Sequence, residues 1–408
     1  MEEGGPALGR RQDAVRGRRP WLPRRSRFGF FGGFYWQMAS SEQDIIHMRQ
    51  ALSLAASARG CTWPNPMVGA VVVQGQRVVG QGWHLKAGTK HAEALALEQA
   101  GDQAQGAVLY VNLEPCCHTG KRTPPCTRAI IGAGIRKVVY AMDDPNPEVK
   151  GRGAQELREA GIEVVGRLME KEAQTLNEVY RKYMTTGYPF TRLKLALSLD
   201  GRIALSSGES QGLSGQESLR RVHQMRLEAE AVMVGSGTVL RDDPQLTVRL
   251  VDNPDQRQPT RFVVDSVLRC PPSSRVFDQS AAKTVVATTG RADPGRKEAL
   301  KQKEIEVWEI PARPDGRVDL KELLRIMGLH EYCSLQVEGG RALATSLLQE
   351  RLVDKLSFFY TPRIIGEEGM PPFGQLGLKN LSEAYQLGDL EVSRVGGDIL
   401  IESYPMPR

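Results

Sequence analysis

Between Asp44 and Ala58 the apolar residues Ile45, Ile46, Met48, Ala51, Leu52, Ala55 and Ala58 recur at helical spacing, which predicts a helix with one buried face. Two valine-rich runs, Met67–Val73 and Arg77–Trp83, flank Gln74-Gly75-Gln76 and read as a β-hairpin. A short helix is expected over His91–Ala100, a buried strand over Ala107–Leu113, and a helix over Thr127–Ile131 ended by Gly132 and Gly134. Strand Lys137–Met142, helix Gly153–Ala160 and strand Ile162–Val165 follow. Such alternation predicts a three-layer α/β domain with a partly parallel sheet.

A polar stretch of helical period, Glu170–Met184, leads to Thr186-Gly187-Tyr188-Pro189, and a second β/α series starts at Phe190. Its expected strands are Thr191–Leu197, Ala231–Val234, Arg261–Asp265, Thr284–Ala287, Ile305–Ile310, Leu335–Val337 and Leu356–Tyr360. Helices are expected at about 216–229, 318–327 and 341–350, and a closing strand at Arg394–Ser403 with Gly396-Gly397 at a bulge or turn. The chain divides on this reading into an N-terminal extension (1–39), a first domain (40–168), a connecting helix (169–189) and a second domain (190–405). The second unit, roughly 220 residues, is large enough for its own core.

Composition, 40% hydrophobic and 25% charged, is that of a globular chain, and no stretch approaches the roughly 20 apolar residues that span a bilayer. The net charge of +6 belongs mostly to the extension. Residues 1–37 hold eight arginines against Glu2, Glu3 and Asp13, a net of +5, which leaves +1 for the remaining 371 residues. A nucleic-acid enzyme carries its basic surface on the folded body, so a polynucleotide partner is not expected. The extension, rich in Gly, Pro and Arg, reads as disordered. Its early acids and few serines argue against a transit peptide, and a start at Met38 is the favoured reading. Six cysteines are too sparse for a disulfide scaffold. The expected compartment is the cytoplasm, an organelle only if the extension targets it.

His91-Ala92-Glu93, Pro115-Cys116 and Pro124-Pro125-Cys126 change the picture. One imidazole and two thiolates are the protein ligands of a zinc whose fourth position stays open. Glu93 beside them can move protons, as in zinc deaminases that remove a ring amino group. A two-residue step turns a helix by roughly 200°, so His91 and Glu93 share a pocket only at a helix end. A purely structural zinc, with His118 or Cys117 as fourth ligand, is the competing reading. Nine residues separate Cys116 from Cys126, where nucleic-acid deaminases use Cys-x-x-Cys.

Asn65-Pro66-Met67-Val68-Gly69, Gly82-Trp83-His84, Leu113-Glu114-Pro115-Cys116-Cys117-His118, Asp144-Pro145-Asn146-Pro147, Ser198-Leu199-Asp200-Gly201 and Ser207-Gly208-Glu209-Ser210 join the zinc motif in order. Together they resemble the family of bifunctional riboflavin-biosynthesis deaminase–reductases from about residue 43 to 402. The resemblance implies a cytidine-deaminase-like α/β/α domain followed by a dihydrofolate-reductase-like α/β domain, using Zn2+ and NADPH. It implies a phosphoribosyl pyrimidine as the small-molecule substrate and a homo-oligomer. His91, Cys116 and Cys126 would bind zinc, with Glu93 as general acid/base. Asn65, His84, His118 and either Lys121 or Arg122 would surround the pyrimidine and its phosphate.

In the second half Ala196, Gly212, Thr238, Asp242, Ser266 and Gly340 would contact NADPH, and Lys194, Ser210, Arg226, Leu246, Arg249 and Glu338 would line the substrate site. Val234-Gly235-Ser236-Gly237-Thr238 follows a strand without being a Gly-x-Gly-x-x-Gly fingerprint. Lys194 in an apolar strand needs a partner; Asp200 either supplies it or begins a turn. Gly212 stands where the family carries tryptophan, which predicts weakened NADPH binding. The alternative reading is therefore a deaminase whose reductase half is weak or inactive.

Overall fold

The structure, a computed structural model, describes residues 41–118, 124–209 and 212–407. The N-terminal extension and the candidate residues Lys121, Arg122 and Ser210 lie outside the described residues.

The first half is built from α1 (Glu42–Ala56), β1 (Gly69–Gln74), β2 (Arg77–Trp83), α2 (Ala92–Ala100), β3 (Val108–Val111), α3 (Cys126–Gly132), β4 (Lys137–Tyr140), α4 (Arg152–Glu159) and β5 (Glu163–Val165). Ser41 and Asp44 cap α1 reciprocally, each side chain accepting the other's backbone N–H. The sheet order is β2-β1-β3-β4-β5, with the first two pairings antiparallel and the last two parallel. Gly69 leaves room for α1 on one face, whereas Gly80 and Gly82 leave room for α2 on the other. A methyl group at Gly80 would collide with the Ala96 carbonyl, so α2 lies directly on the backbone of β2. The three-layer expectation holds, and one apolar core fills both faces.

The connecting segment is not one helix. It breaks into α5 (Glu170–Leu176) and α6 (Glu178–Thr186) at Asn177 (φ −101°, ψ 26°), which ends the first and caps the second. The period of apolar residues continues across a break of one residue, so pattern alone does not reveal it.

The second half comprises β6 (Phe190–Ser198), β7 (Ala204–Leu205), α7 (Gln216–Glu228), β8 (Ala231–Gly235), α8 (Ser236–Asp242), β9 (Thr260–Val264), β10 (Thr284–Thr288), α9 (Pro294–Lys301) and β11 (Glu306–Glu309). It continues with α10 (Leu320–Leu329), β12 (Ser334–Val337), α11 (Arg341–Gln349), β13 (Lys355–Thr361), β14 (Gly369–Met370), β15 (Glu391–Val395) and β16 (Asp398–Ser403). Nine strands form one sheet in the order β11-β10-β9-β8-β12-β6-β13-β16-β15, and β7 pairs with β14 apart from it. The expected closing strand is a hairpin, turning at Gly396-Gly397 with Gly396 at φ 64°. Two short helices, α8 and α9, were not expected because their apolar residues are too few to show a period.

The chain runs outward from β8 to β11 and then returns to lay β12 between β8 and β6. That reversal opens a crevice beyond the carboxyl ends of β8 and β12, the place where open α/β sheets bind ligands. Among the described residues, no helix is long and apolar enough to cross a membrane.

Candidate functional site

His91 is the N-cap of α2, with extended backbone (φ −72°, ψ 158°), and Glu93 lies in the first turn. The extended cap removes the helical step between them, so both side chains reach one pocket. Cys116 leaves the loop after β3, and Cys126 opens α3 after Pro125. Nδ1 of His91 stands 3.2 Å from Cys126 Sγ and 3.5 Å from Cys116 Sγ. All three ligand atoms lie within 4.8 Å of one another. One nitrogen and two sulfurs, convergent and mostly shielded from solvent, fit a zinc ion. Neither His118 nor Cys117 joins this cluster among the described residues.

The Cys126 backbone N–H points at Cys116 Sγ, 3.5 Å away. The Cys116 thiol is lowered, first by its hydrogen bond with the Cys126 thiol and then by His91. Glu93 is buried at 4% exposure, and its carboxyl is pushed up, first by burial and then by the charge of Cys116, with His91 opposing. It holds a proton more tightly than a surface glutamate.

Glu114, inside the cysteine motif, has a structural task. Its carboxylate accepts from the backbone N–H groups of Asp144 (3.3 Å), Gly151 (2.9 Å) and Ala154 (3.0 Å). Pro115-Cys116 is thereby fixed against the start of α4. Asn65 Nδ2 meets His84 Nε2 at 3.1 Å, and His84 Nδ1 faces the Lys90 carbonyl at 3.2 Å. The His84 ring sits edge-on to His91, 5.5 Å between centroids. Burial lowers His84, which favours its neutral ring beside the cluster.

In the second half a cleft of about 920 Å³ occupies the crevice at the strand reversal. Lys194, Ala196, Gly212, Arg226, Thr238, Asp242, Glu338 and Gly340 all line it. Ser266 lines an adjoining hollow of about 330 Å³ that shares Gly235, Gly237 and Arg269 with the cleft. Its hydroxyl accepts from Val318 N–H at 3.1 Å. Gly340 caps α11 without a side chain, leaving the first N–H groups of that helix open to a phosphate. Its own N–H donates to Thr238 Oγ1 at 3.1 Å, tying the two turns together. These features fit a dinucleotide.

Arg226 grips Glu338 with two hydrogen bonds (Nε–Oε1 2.6 Å, Nη2–Oε2 2.8 Å) and donates to Thr247 O at 3.0 Å. Burial, the largest single influence, would raise Glu338, yet the charge and hydrogen bonds of Arg226 together with Lys194 and Gln336 outweigh it and lower the carboxyl to about 2. Lys194 is lowered by burial and by Arg226 against the pull of Glu338, and its ammonium lies 5.7 Å from the Phe359 ring centre. Asp200 is not its partner: that carboxylate accepts from Ser198 Oγ and from the N–H groups of Ile365 and Gly366. Leu246 and Arg249 do not line the cleft. They flank Thr247, whose carbonyl and hydroxyl hold Arg226 and Arg249 respectively.

Two family descriptions fit the chain, "Cytidine and deoxycytidylate deaminase zinc-binding region" over residues 41–142 and "RibD C-terminal domain" over residues 189–401. The riboflavin biosynthesis protein RibD of Aquifex aeolicus is 44% identical over 360 residues, covering 88% of this chain and 98% of the relative. The chain belongs to the RibD family. RibD of Escherichia coli is 41% identical over 369 residues, with 88% and 98% covered. The Acinetobacter baumannii RibD structure (form 1) superposes with TM-score 0.80 at 37% identity, covering 90% of this chain and 99% of that one. A Thermotoga maritima structure, titled a diaminohydroxyphosphoribosylaminopyrimidine deaminase/5-amino-6-(5-phosphoribosylamino)uracil reductase, gives TM-score 0.76 at 35% identity, covering 89% and 99%. Like its RibD relatives, the chain carries both a zinc-binding deaminase fold and a reductase fold.

Sequence reasoning passed over Glu114, Asn112 and Asn177 as anchors and Arg269 as a cleft residue. Asn112 had a visible signal, an amide inside the apolar run Ala107–Leu113. Arg269 had none.

Proposed function

We propose that the two sites carry out successive steps of riboflavin synthesis on one phosphoribosyl pyrimidine. The first hydrolyses an amino group of 2,5-diamino-6-(5-phosphoribosylamino)pyrimidin-4(3H)-one, consuming water and releasing ammonia. The second reduces the ribosyl group of the resulting 5-amino-6-(5-phosphoribosylamino)uracil to ribityl. The observation that carries this reading is a buried Glu93, its carboxyl pushed up by burial, against a His-Cys-Cys cluster, on the same chain as a dinucleotide-sized cleft.

His91, Cys116 and Cys126 would hold a zinc ion, which when bound would supply Lewis-acid chemistry to a water. Glu93 takes a proton from the attacking water and gives one to the departing nitrogen, and its raised affinity suits both transfers. Asn65 offers a donor and an acceptor to the ring edge, with His84 and His118 around the substrate; either Lys121 or Arg122 meets its phosphate.

In the second site NADPH supplies the hydride. Gly340, Thr238, Ala196, Asp242, Ser266 and Gly212 bound its place, and Arg269 suits one of its phosphates. The Arg269 guanidinium is held across the Gly235–Gly237 turn by Ser236 Oγ at 3.0 Å, with no carboxylate within 4.0 Å among the described residues. Lys194, Arg226 and Glu338 form the substrate side, with Ser210 placed there from sequence alone, while Leu246 and Arg249 stand behind it around Thr247. There Lys194 is the proton donor that its lowered affinity allows. Residues 40–168 form the deaminase unit and 190–405 the reductase unit, joined by 169–189. A homo-oligomer in the cytoplasm is the proposed state, and the exposed Leu390, just before edge strand β15, and Val392, within it, suit such self-association.

Purified protein given zinc, NADPH and the diaminopyrimidine phosphate tests both steps, with ammonia release and NADPH oxidation followed separately. Absence of ammonia overturns the reading. Ammonia without NADPH oxidation selects a deaminase with an inactive reductase, the second reading that Gly212 favours.

A further inference from the structure

We propose that Asn177, contributed by the connecting segment, is a positioning residue for the deaminase substrate loop. The inference rests on the deaminase reading above. Asn177 is 1% exposed and uses both ends of its amide on one distant residue. Its Oδ1 accepts from Met67 N–H at 2.8 Å, and its Nδ2 donates to Met67 O at 3.0 Å. Asn112 completes the grip, donating to Met67 O at 2.9 Å and accepting from Gly69 N–H at 2.8 Å.

Met67 ends the short segment that carries Asn65. Pro66 restricts Asn65 to extended backbone, so fixing Met67 fixes the direction from which the Asn65 amide enters the pocket. That amide meets His84, whose own N–H donates to Val68 O at 2.9 Å. The loop is therefore tied at residues 67, 68 and 69, and Asn65 N–H adds a turn bond to Thr62 O at 2.8 Å.

The helix break between α5 and α6 explains how residue 177 can do this. An asparagine inside a continuous helix would point along the helix surface, whereas the break (φ −101°) turns Asn177 off the axis into the loop. The adjoining Glu178 faces the other way. It takes the Tyr404 hydroxyl and lies 3.8 Å from both Arg192 and Lys355 of the reductase sheet. Two consecutive residues thus hold the deaminase loop and the reductase sheet.

The test uses full-length, zinc-loaded protein carrying Asn177→Ala and, separately, Asn177→Asp, which keeps the acceptor for Met67 N–H but loses the donor. The expected result for Asn177→Ala is a deaminase KM raised about tenfold or more, as a misplaced binding group lowers affinity without touching the chemistry. Its kcat, zinc content and NADPH-dependent reduction stay near wild type. Asn177→Asp, whose second oxygen faces Met67 O, raises KM at least as far as alanine, and decides the matter if the alanine variant is insoluble. An unchanged KM in the soluble variants overturns the inference, as does a joint fall of kcat, zinc content and reductase activity. Wild-type protein that releases no ammonia overturns the deaminase reading instead, and this inference with it.

Discussion

Glu93 and Glu338 are both buried carboxylates, one in each half, and their surroundings push them in opposite directions. Glu93 has burial and a neighbouring thiolate around it and is raised. Glu338 has Arg226 in a two-point grip and Lys194 nearby, and is lowered to about 2. The proposed proton carrier of one half and the ion-paired carboxylate of the other differ because Arg226 and Lys194, with the hydrogen bonds around Glu338, together outweigh desolvation there. The deaminase half gathers Glu93 and its three candidate metal ligands within residues 91 to 126, with Asn65 and His84 alongside. The reductase half spreads its own over a cleft whose described lining runs from Lys194 to Gln375.

The sharpest break in this contrast is Glu93→Gln, which keeps the shape and removes the proton carrier. Ammonia release should fall about a thousandfold, while zinc content and NADPH oxidation on the uracil substrate stay at wild-type levels. A variant retaining a tenth of the activity would show that Glu93 only shapes the pocket.

Glu338→Gln should instead act through stability as well as rate. Leaving Arg226 and Lys194 without a buried countercharge costs about 3 kcal/mol, to be read from urea unfolding. Reduction should weaken strongly, with ammonia release spared. Unfolding that matches wild type would mean the pair contributes nothing net.

Acid separates the halves by a third route. Burial, then Arg226 and Arg249, lower His223 to about 4, and its Nδ1 accepts from Arg249 N–H at 2.9 Å. A base lowered when folded, from about 6.5 in the unfolded chain, contributes stability that is complete above pH 6.5. That contribution is lost as pH falls through 4. His223→Asn should flatten this limb when urea midpoints are followed from pH 7 to 4; identical slopes would remove His223 as the cause.

The smallest effect is expected at Gly212. Its φ of 75° strains any side chain, so Gly212→Trp must be compared with Gly212→Ala rather than with wild type. Tryptophan should bind NADPH a few-fold (about 1 kcal/mol) tighter than alanine by adding a stacking surface. Equal dissociation constants would end the idea that the missing aromatic ring weakens this half.

Most strands and the whole zinc cluster were legible in the sequence, since both rest on local signals: valine runs, glycine turns and ligands placed at helix starts. What escaped is long-range. The break at Asn177 is invisible until residue 67 is known to lie beside it, 110 positions away. Asp200 was a plausible partner for Lys194 by proximity in sequence, but the strand carries the two side chains to different places and Glu338 arrives from β12. A bulge or turn at Gly396-Gly397 was legible, but the start of its first arm at Glu391 was not, because that arm is almost wholly exposed and shows no alternation. Lys121, Arg122 and Ser210 keep their proposed roles from sequence alone.

Gly80 and Gly82 carry a consequence for how this enzyme tolerates change. Neither residue touches a metal ligand, yet α2, whose first turn presents His91 and Glu93, rests on them without clearance. A single added methyl at position 80 has nowhere to go but into the helix backbone, and the whole zinc cluster would tilt with it. In a saturation library scored by ammonia release, these two silent positions should be as intolerant as the cysteines, and substitutions that pass there would show that α2 can lift without disturbing its own first turn.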